Sequence, residues 1–196
     1  MIKPVNTVGE FSLRWAKQNN LTYDYSKFTK STQDLAKAEA FKLNTNLKLY
    51  ITEYQEQGRG RIDKRTWISK AEDNFLSTWS YKFLPTNILP SLSEQIAQQV
   101  IISAKKTWPN LPWKLQLPND IYINDKKIAG LLIDILNQGK QNRLLIGLGF
   151  NIYSSPENLA TTSTCLFKET SLPMEKWQIF LDSLFCNWKK LLAKNA

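Results

Sequence analysis

The sequence predicts an α+β protein built on a mixed β-sheet with flanking helices. Three observations carry this expectation. The middle of the chain is dense in alternating and continuous apolar runs. Strands and helices do not alternate regularly, which argues against a doubly wound nucleotide-binding sheet. The C-terminal region carries one long amphipathic helical stripe. The 196 residues suit one domain with a sizeable core, and no internal repeat, low-complexity tract or linker divides them.

The elements follow in order. Residues 10–18 read as a short helix. Residues 22–28, Thr-Tyr-Asp-Tyr-Ser-Lys-Phe, alternate like a strand. Ser31 and Thr32 then cap a helix through about Phe41. Leu47 to Tyr54 alternates again, and residues 55–66 are a polar, basic loop holding Gly58 and Gly60. Residues 75–83 read as a strand. Ser91-Leu-Ser-Glu94 is a capping-box pattern, opening a helix with Ile96, Ala97, Val100, Ile101 and Ala104 on one face. Residues 113–117 and 121–124 are short strands around a Pro118-Asn119-Asp120 turn. Ile128 to Leu136 is nearly all apolar, so it reads as a buried strand. Gly139 to Asn142 turns it back into Arg143–Phe150. Trp177, Phe180, Leu181, Leu184, Phe185, Trp188, Leu191 and Leu192 trace the buried face of a terminal helix, about 173–194.

Composition limits the chemistry. There is no histidine, so Ser-His-Asp and Cys-His nucleophile systems, histidine zinc sites and imidazole proton shuttles are all excluded. Lys and Arg exceed Asp and Glu to give a net charge of +9. Such a balance suits an anionic ligand, an acidic partner or nucleic acid, and does not choose among them. Cys165 and Cys186 are the only cysteines, so there is no CxxC and no metal-ligand cluster; they could form one disulfide, but two isolated thiols in a chain this size more often mean a reducing cytosol. No signal-peptide run opens the chain and no stretch approaches a membrane span, so a cytoplasmic protein is expected.

Three segments could carry chemistry. Gly58-Arg59-Gly60-Arg61, followed by Lys64, Arg65 and Trp67, combines permissive backbone with planar cationic forks, yet is neither GxxxxGK[ST] nor GxGxxG. Alone it reads as a solvated basic loop or an RNA-touching element. In Pro118-Asn119-Asp120 to Lys126-Lys127-Ile-Ala-Gly130, a lysine precedes the most buried strand and a glycine lies inside it. That suggests a clamp for an anionic ligand, or else a hairpin with surface lysines. Gly147-Leu-Gly149-Phe-Asn151 places two glycines in a buried strand, through ligand contact or through close strand packing.

Together with Ser31-Thr32-Gln33 and Ala160-Thr-Thr-Ser163, these segments in this order resemble the catalytic domain of the biotin protein ligases, within the biotin/lipoate ligase superfamily. The match runs from about residue 22 to the end. Gln116-Leu117 stand where the family has Lys-Trp before Pro-Asn-Asp, and the basic loop is one residue longer and carries Asp63. The resemblance implies a class II synthetase-like fold and a single catalytic domain over 1–196 with its core at about 22–170; the small C-terminal SH3-like barrel usually found after that domain, and a DNA-binding domain, are expected to be absent here. It implies formation of biotinyl-5′-AMP from biotin and ATP with Mg2+. Biotin then passes to a lysine of a biotin carboxyl carrier protein domain, of acetyl-CoA carboxylase or a related biotin enzyme. It leaves a homodimer open.

By the same resemblance, Ser31, Thr32, Gln33, Gln55, Gly58, Arg59, Gly60, Arg61, Lys127, Gly130 and Gly147 would bind biotin. Arg61, Arg65, Trp67, Asn119, Asp120, Lys127 and Asn151 would bind ATP. Lys127, Arg61 and Asp120 would be catalytic, and Mg2+ would be held by the phosphates, with Asn151 a further ligand. The alternatives are a diverged lipoate or octanoyl transferase-like enzyme, and a non-catalytic biotin-binding or basic nucleic-acid-binding relative. The lipoate family's Arg-Arg-x-x-Gly-Gly-Gly signature is missing.

Overall fold

The computed structural model describes residues 6–61, 66–83, 91–156, 162–170 and 174–194. The expected mixed sheet is present. Its seven strands are β1 (Thr22–Ser26), β2 (Leu47–Thr52), β3 (Asn74–Phe83), β4 (Trp113–Gln116), β5 (Asp120–Ile123), β6 (Lys126–Gln138) and β7 (Gln141–Asn151), in the order β1-β2-β3-β7-β6-β5-β4. β1 and β2 are parallel, and every other pair is antiparallel.

Strand alternation sorts the two faces. Leu144, Ile146, Leu148 and Phe150 of β7, with Leu49, Ile51, Trp79 and Ile121, join the main core. There they meet α1 (Val8–Gln18), α3 (Leu92–Thr107) and α5 (Met174–Lys194). The aromatic stripe of α5 is packing, as expected: Trp177 lies 4.9 Å from Phe180 and 5.6 Å from Phe150 between ring centroids. The intervening residues Leu145, Gly147, Gly149 and Asn151 face the other way. On that side Tyr50 and Leu145 pack with Ala36 of α2 (Thr32–Glu39), which leaves the rest of the face open for a site.

Several boundaries correct the sequence reading. α1 begins at Val8, because Thr7 is the N-cap: its hydroxyl accepts from Glu10 N at 3.1 Å while the Glu10 carboxylate accepts from Thr7 N at 3.2 Å. Ser91 makes no such cap. It is already helical, and its hydroxyl accepts from Gln95 Nε2 instead. β1 stops at Ser26, leaving Phe28 exposed and stacked on Tyr54. β2 stops at Thr52 and β4 at Gln116. Asn124 belongs to a turn rather than a strand, since Asn124 and Asp125 both have positive φ, 47° and 60°. Such a two-residue turn matches the twist of the strands it joins. β6 and β7 are longer than expected, so only Gly139 and Lys140 turn between them, with Gly139 at φ 59°. A short helix, α4 (Leu166–Glu169), had no sequence signal.

Candidate active site

The open face of the sheet holds a cavity of about 530 Å3 between α2, residues 59–61 and 66–68, and the turn before β5. Its floor is polar. Ser31 is the N-cap of α2, its hydroxyl accepting from Asp34 N, and the first residues of the helix line the cavity wall. Ser31, Thr32 and Gln33 are all buried. Thr32 N donates to Gln55 Oε1 at 2.8 Å, and the Thr32 hydroxyl lies 3.0 Å from the same oxygen and 2.9 Å from Thr78 Oγ1. The Thr78 hydroxyl donates to Gln33 Oε1 at 3.0 Å, and Gln33 Nε2 donates to Asp134 Oδ2 at 2.7 Å. The Gln33 amide lies where a side chain on Gly147 would begin, since a Cβ there would stand 2.8 Å from Gln33 Oε1.

The middle of the cavity is shaped by Trp67. Its indole packs against β6 and β7 where two glycines face each other, Gly130 and Gly149. A Cβ on Gly149 would come within 2.5 Å of the indole, and one on Gly130 within 3.0 Å. Trp67 arrives there because the base of its loop is closed: Trp67 N donates to Gly58 O at 2.8 Å, and Arg59 bridges Thr66. Its indole Nε1 is buried without a protein partner.

At the far end Lys127 Nζ lies 2.7 Å from Asp120 Oδ1 and 5.4 Å from the Trp67 ring centroid. A β-bulge makes this possible. Ile121 pairs with Ala129 but Tyr122 pairs with Lys127, so Ile128 is an extra residue in β6. Without it, Lys127 and Gly130 would face opposite sides of the sheet. The Lys127 backbone is held on its other edge, accepting from Thr164 N and donating to Thr162 O, and Ser163 joins the cavity wall there. Burial first, and the Asp120 carboxylate second, raise the phenol of neighbouring Tyr122 and keep it neutral.

Of the site residues expected from sequence, Ser31, Thr32, Gln33, Gln55, Arg59, Gly60, Arg61, Trp67, Asn119, Asp120, Lys127, Gly130, Gly147 and Asn151 all line this one cavity. Gly58 does not. Its place is the neck of the loop, where a Cβ would meet the Trp67 carbonyl at 2.5 Å. Arg65, Asp63, Lys64 and Ala160-Thr161 lie outside the described residues. Arg59 donates through Nε to Asp34 Oδ1 at 2.7 Å, tying the loop to α2. Asn119 is clamped to Leu131 by its side chain at 2.6 Å and by its carbonyl. Asn151 donates to Thr164 O, and its Oδ1 is buried with no protein partner. Lys114 turns away to pair with Asp125 at 3.6 Å.

Cavity residues to which the sequence reading gave no ligand role include Gly149, Ser77 and Thr78. Gly149 had a signal, because its spacing from Gly147 puts both on one strand face. Thr78 and Ser77 had none, since nothing local distinguishes them from other strand hydroxyls.

The model of the biotin/lipoate A/B protein ligase family matches residues 25–151, a stretch that contains nearly every wall of the cavity. The chain belongs to that family. Among curated members, it is 23% identical over 201 residues to the bifunctional ligase/repressor BirA of Bacillus spizizenii, covering 97% of this chain and 61% of that one. It therefore spans about three fifths of that relative's length. The fold matches the biotin protein ligase of Aquifex aeolicus in complex with biotin and ATP, with TM-score 0.68, 25% identity, and 89% and 73% of the two chains covered. It also matches the biotin protein ligase of Leishmania major in complex with biotinyl-5-AMP, with TM-score 0.72, 20% identity, and 88% and 75% covered. Among the described residues, no helix is long and apolar enough to cross a membrane.

Proposed function

We propose that this family member is an ATP-dependent biotin protein ligase. It joins biotin to AMP and then passes the biotinyl group to a lysine of a biotin carboxyl carrier protein domain. The observation that carries the reading is the cavity's polarity. One end is a buried, hydrogen-bonding floor of Ser31, Thr32, Gln33, Gln55 and Thr78, and the other is the Lys127 ammonium. Biotin has that shape, with a neutral ureido ring at one end and a carboxylate at the other. A lipoyl or octanoyl chain ends in apolar atoms, which offer no donor or acceptor to that polar floor.

In the first step the biotin carboxylate attacks the α-phosphorus of ATP. An O–P bond forms, the bond to the diphosphate breaks, and no proton moves. Two anions must meet, so positioning and cationic stabilisation dominate, and the missing histidine costs nothing. Lys127 and Arg61 supply the positive charge, and Asp120 fixes Lys127 in the cavity. Trp67, on its glycine cradle, offers a stacking face for the adenine. In the second step the acceptor lysine amine attacks the acyl carbon, an amide forms, AMP leaves and the amine releases a proton. In this reading Asp120 also orients that amine.

Mg2+ is read as part of the nucleotide substrate. Among the described residues no cluster of three or more acidic or cysteine side chains exists to hold a resident metal. The unpartnered Asn151 Oδ1 is a hard oxygen donor suited to a phosphate-bound ion.

The test is incubation with biotin, α-labelled ATP and magnesium, with and without a carrier domain. Labelled biotinyl-5′-AMP that is consumed on adding the carrier supports the reading. Adenylate formed from lipoate or octanoate but not from biotin favours the sister activity, and binding of biotin with no adenylate identifies a non-catalytic pocket.

A further inference from the structure

The floor of the cavity is a hydrogen-bond chain with a direction, and the direction is set from outside the cavity. Gln33 Nε2 meets Asp134 Oδ2 at 2.7 Å and the Leu132 carbonyl at 3.5 Å. Both are acceptors only, so the amide end must face them and Oε1 must face Thr78. Thr78 has one hydroxyl proton and gives it to Gln33 Oε1. Thr32 also has one, and its contacts are Gln55 Oε1 and Thr78 Oγ1, the latter already a donor elsewhere. Both hydroxyl protons are therefore directed to protein acceptors. What Thr32, Thr78 and Gln33 Oε1 have left for a ligand is lone pairs. Ser31 differs: its hydroxyl accepts at the helix cap, so its proton is free to be donated.

Asp134 does not line the cavity. It sits on β6 behind α2, where the same Oδ2 also accepts from Lys37 Nζ at 2.8 Å. Gln33 and Lys37 are one helical turn apart, so one carboxylate grips both. We propose that Asp134 is a specificity-determining positioning residue. By fixing the Gln33 amide, it makes the floor an acceptor surface that selects ligand heads with ring N–H donors. The inference rests on the reading of biotin as substrate and adds which feature of the head is selected and which residue enforces it.

The test measures binding of biotin and of its cyclic carbamate analogue, in which one ring N–H is replaced by oxygen, to wild type and variants. Wild type should favour biotin by at least about tenfold, because the analogue sets an oxygen against lone pairs. In Asp134→Leu the Gln33 amide can turn over, and the preference should fall to about threefold or less. Asp134→Glu should restore it. Lys37→Met, which leaves the Asp134–Gln33 bond in place, should keep the wild-type ratio. A merely structural role would weaken both ligands together and leave the ratio unchanged. An unchanged ratio in a folded Asp134→Leu protein, or no preference in wild type that binds biotin, overturns the inference and leaves the ligase reading intact. Should Asp134→Leu not fold, a wild-type ratio in a folded Asp134→Ala protein would overturn it equally, since alanine leaves no side-chain acceptor for the Gln33 amide. Failure of wild type to bind biotin overturns both.

Discussion

Lys127 and Gly130 stand three residues apart on β6, yet both face the cavity, because the bulge at Ile128 turns Lys127 over. The missing Cβ of Gly130 leaves room for three groups at once: Trp67 Cζ3 would lie 3.0 Å from it, and Asp120 Oδ1 and Lys127 Cε 3.3 Å. Gly130→Ala should therefore displace the reacting groups without harming the fold, since alanine suits a strand better than glycine. Adenylate formation should slow by about tenfold or more, a size expected for sub-ångström misplacement. Thermal unfolding should be unchanged or slightly raised. Stopped-flow adenylation beside calorimetry separates the two effects.

Gly149→Ala is the sharper substitution, because its Cβ would stand 2.5 Å from the Trp67 indole. The ring must leave the sheet. Since Trp67 is assigned to the nucleotide and lies away from the Thr32–Gln33 floor, KM for ATP should rise by about tenfold, while the Kd for biotin alone stays within about twofold. Titration calorimetry with biotin, and kinetics with varied ATP, read these separately.

Tyr81 offers a stability test away from the cavity. Its hydroxyl is buried with no partner, and burial alone raises its phenol above the ordinary range. Removing an unpaired buried hydroxyl should be neutral or stabilising, so Tyr81→Phe should gain up to about 1 kcal/mol. The pH dependence follows from the same shift. A phenol whose pKa is raised by folding holds its proton more tightly in the native state. Its contribution is complete below the unfolded value of about 10 and is lost as pH rises beyond it. Tyr25 and Tyr50 are raised in the same direction, by burial and then by their bonds to Glu53 and Glu39. The wild type should thus lose stability above about pH 10, and Tyr81→Phe should lose less of it. Denaturant unfolding between about pH 8 and 11 measures both.

How far the sequence led can be judged residue by residue. The sheet was legible because its apolar periods are long, and the cavity walls were legible because glycines and cations interrupt those periods at Gly130, Gly147 and Arg59 to Arg61. The bulge was not: Lys-Ile-Ala-Gly has no local mark saying that Ile128 is left unpaired, and the shift appears only when β5 is laid beside β6. Thr78 and Asp134 were missed for a related reason. Each is an ordinary strand residue whose role comes from a partner 45 or 101 positions away in the chain, Gln33. The Ser91 pattern failed as a cap because its residue had already entered helical geometry, whereas Thr7, which was overlooked, had not.

The central claim is that this cavity activates a carboxylate with Lys127 as the cation, and single-turnover adenylation by Lys127→Ala tests it most directly. With biotin, ATP and magnesium in excess, wild type should accumulate biotinyl-5′-AMP. The variant should be slower by about 100- to 1,000-fold, the usual scale for removing a charge-stabilising group, at an unchanged unfolding temperature. Adenylate formed by the variant at the wild-type rate, or none formed by the folded wild type, would contradict the account.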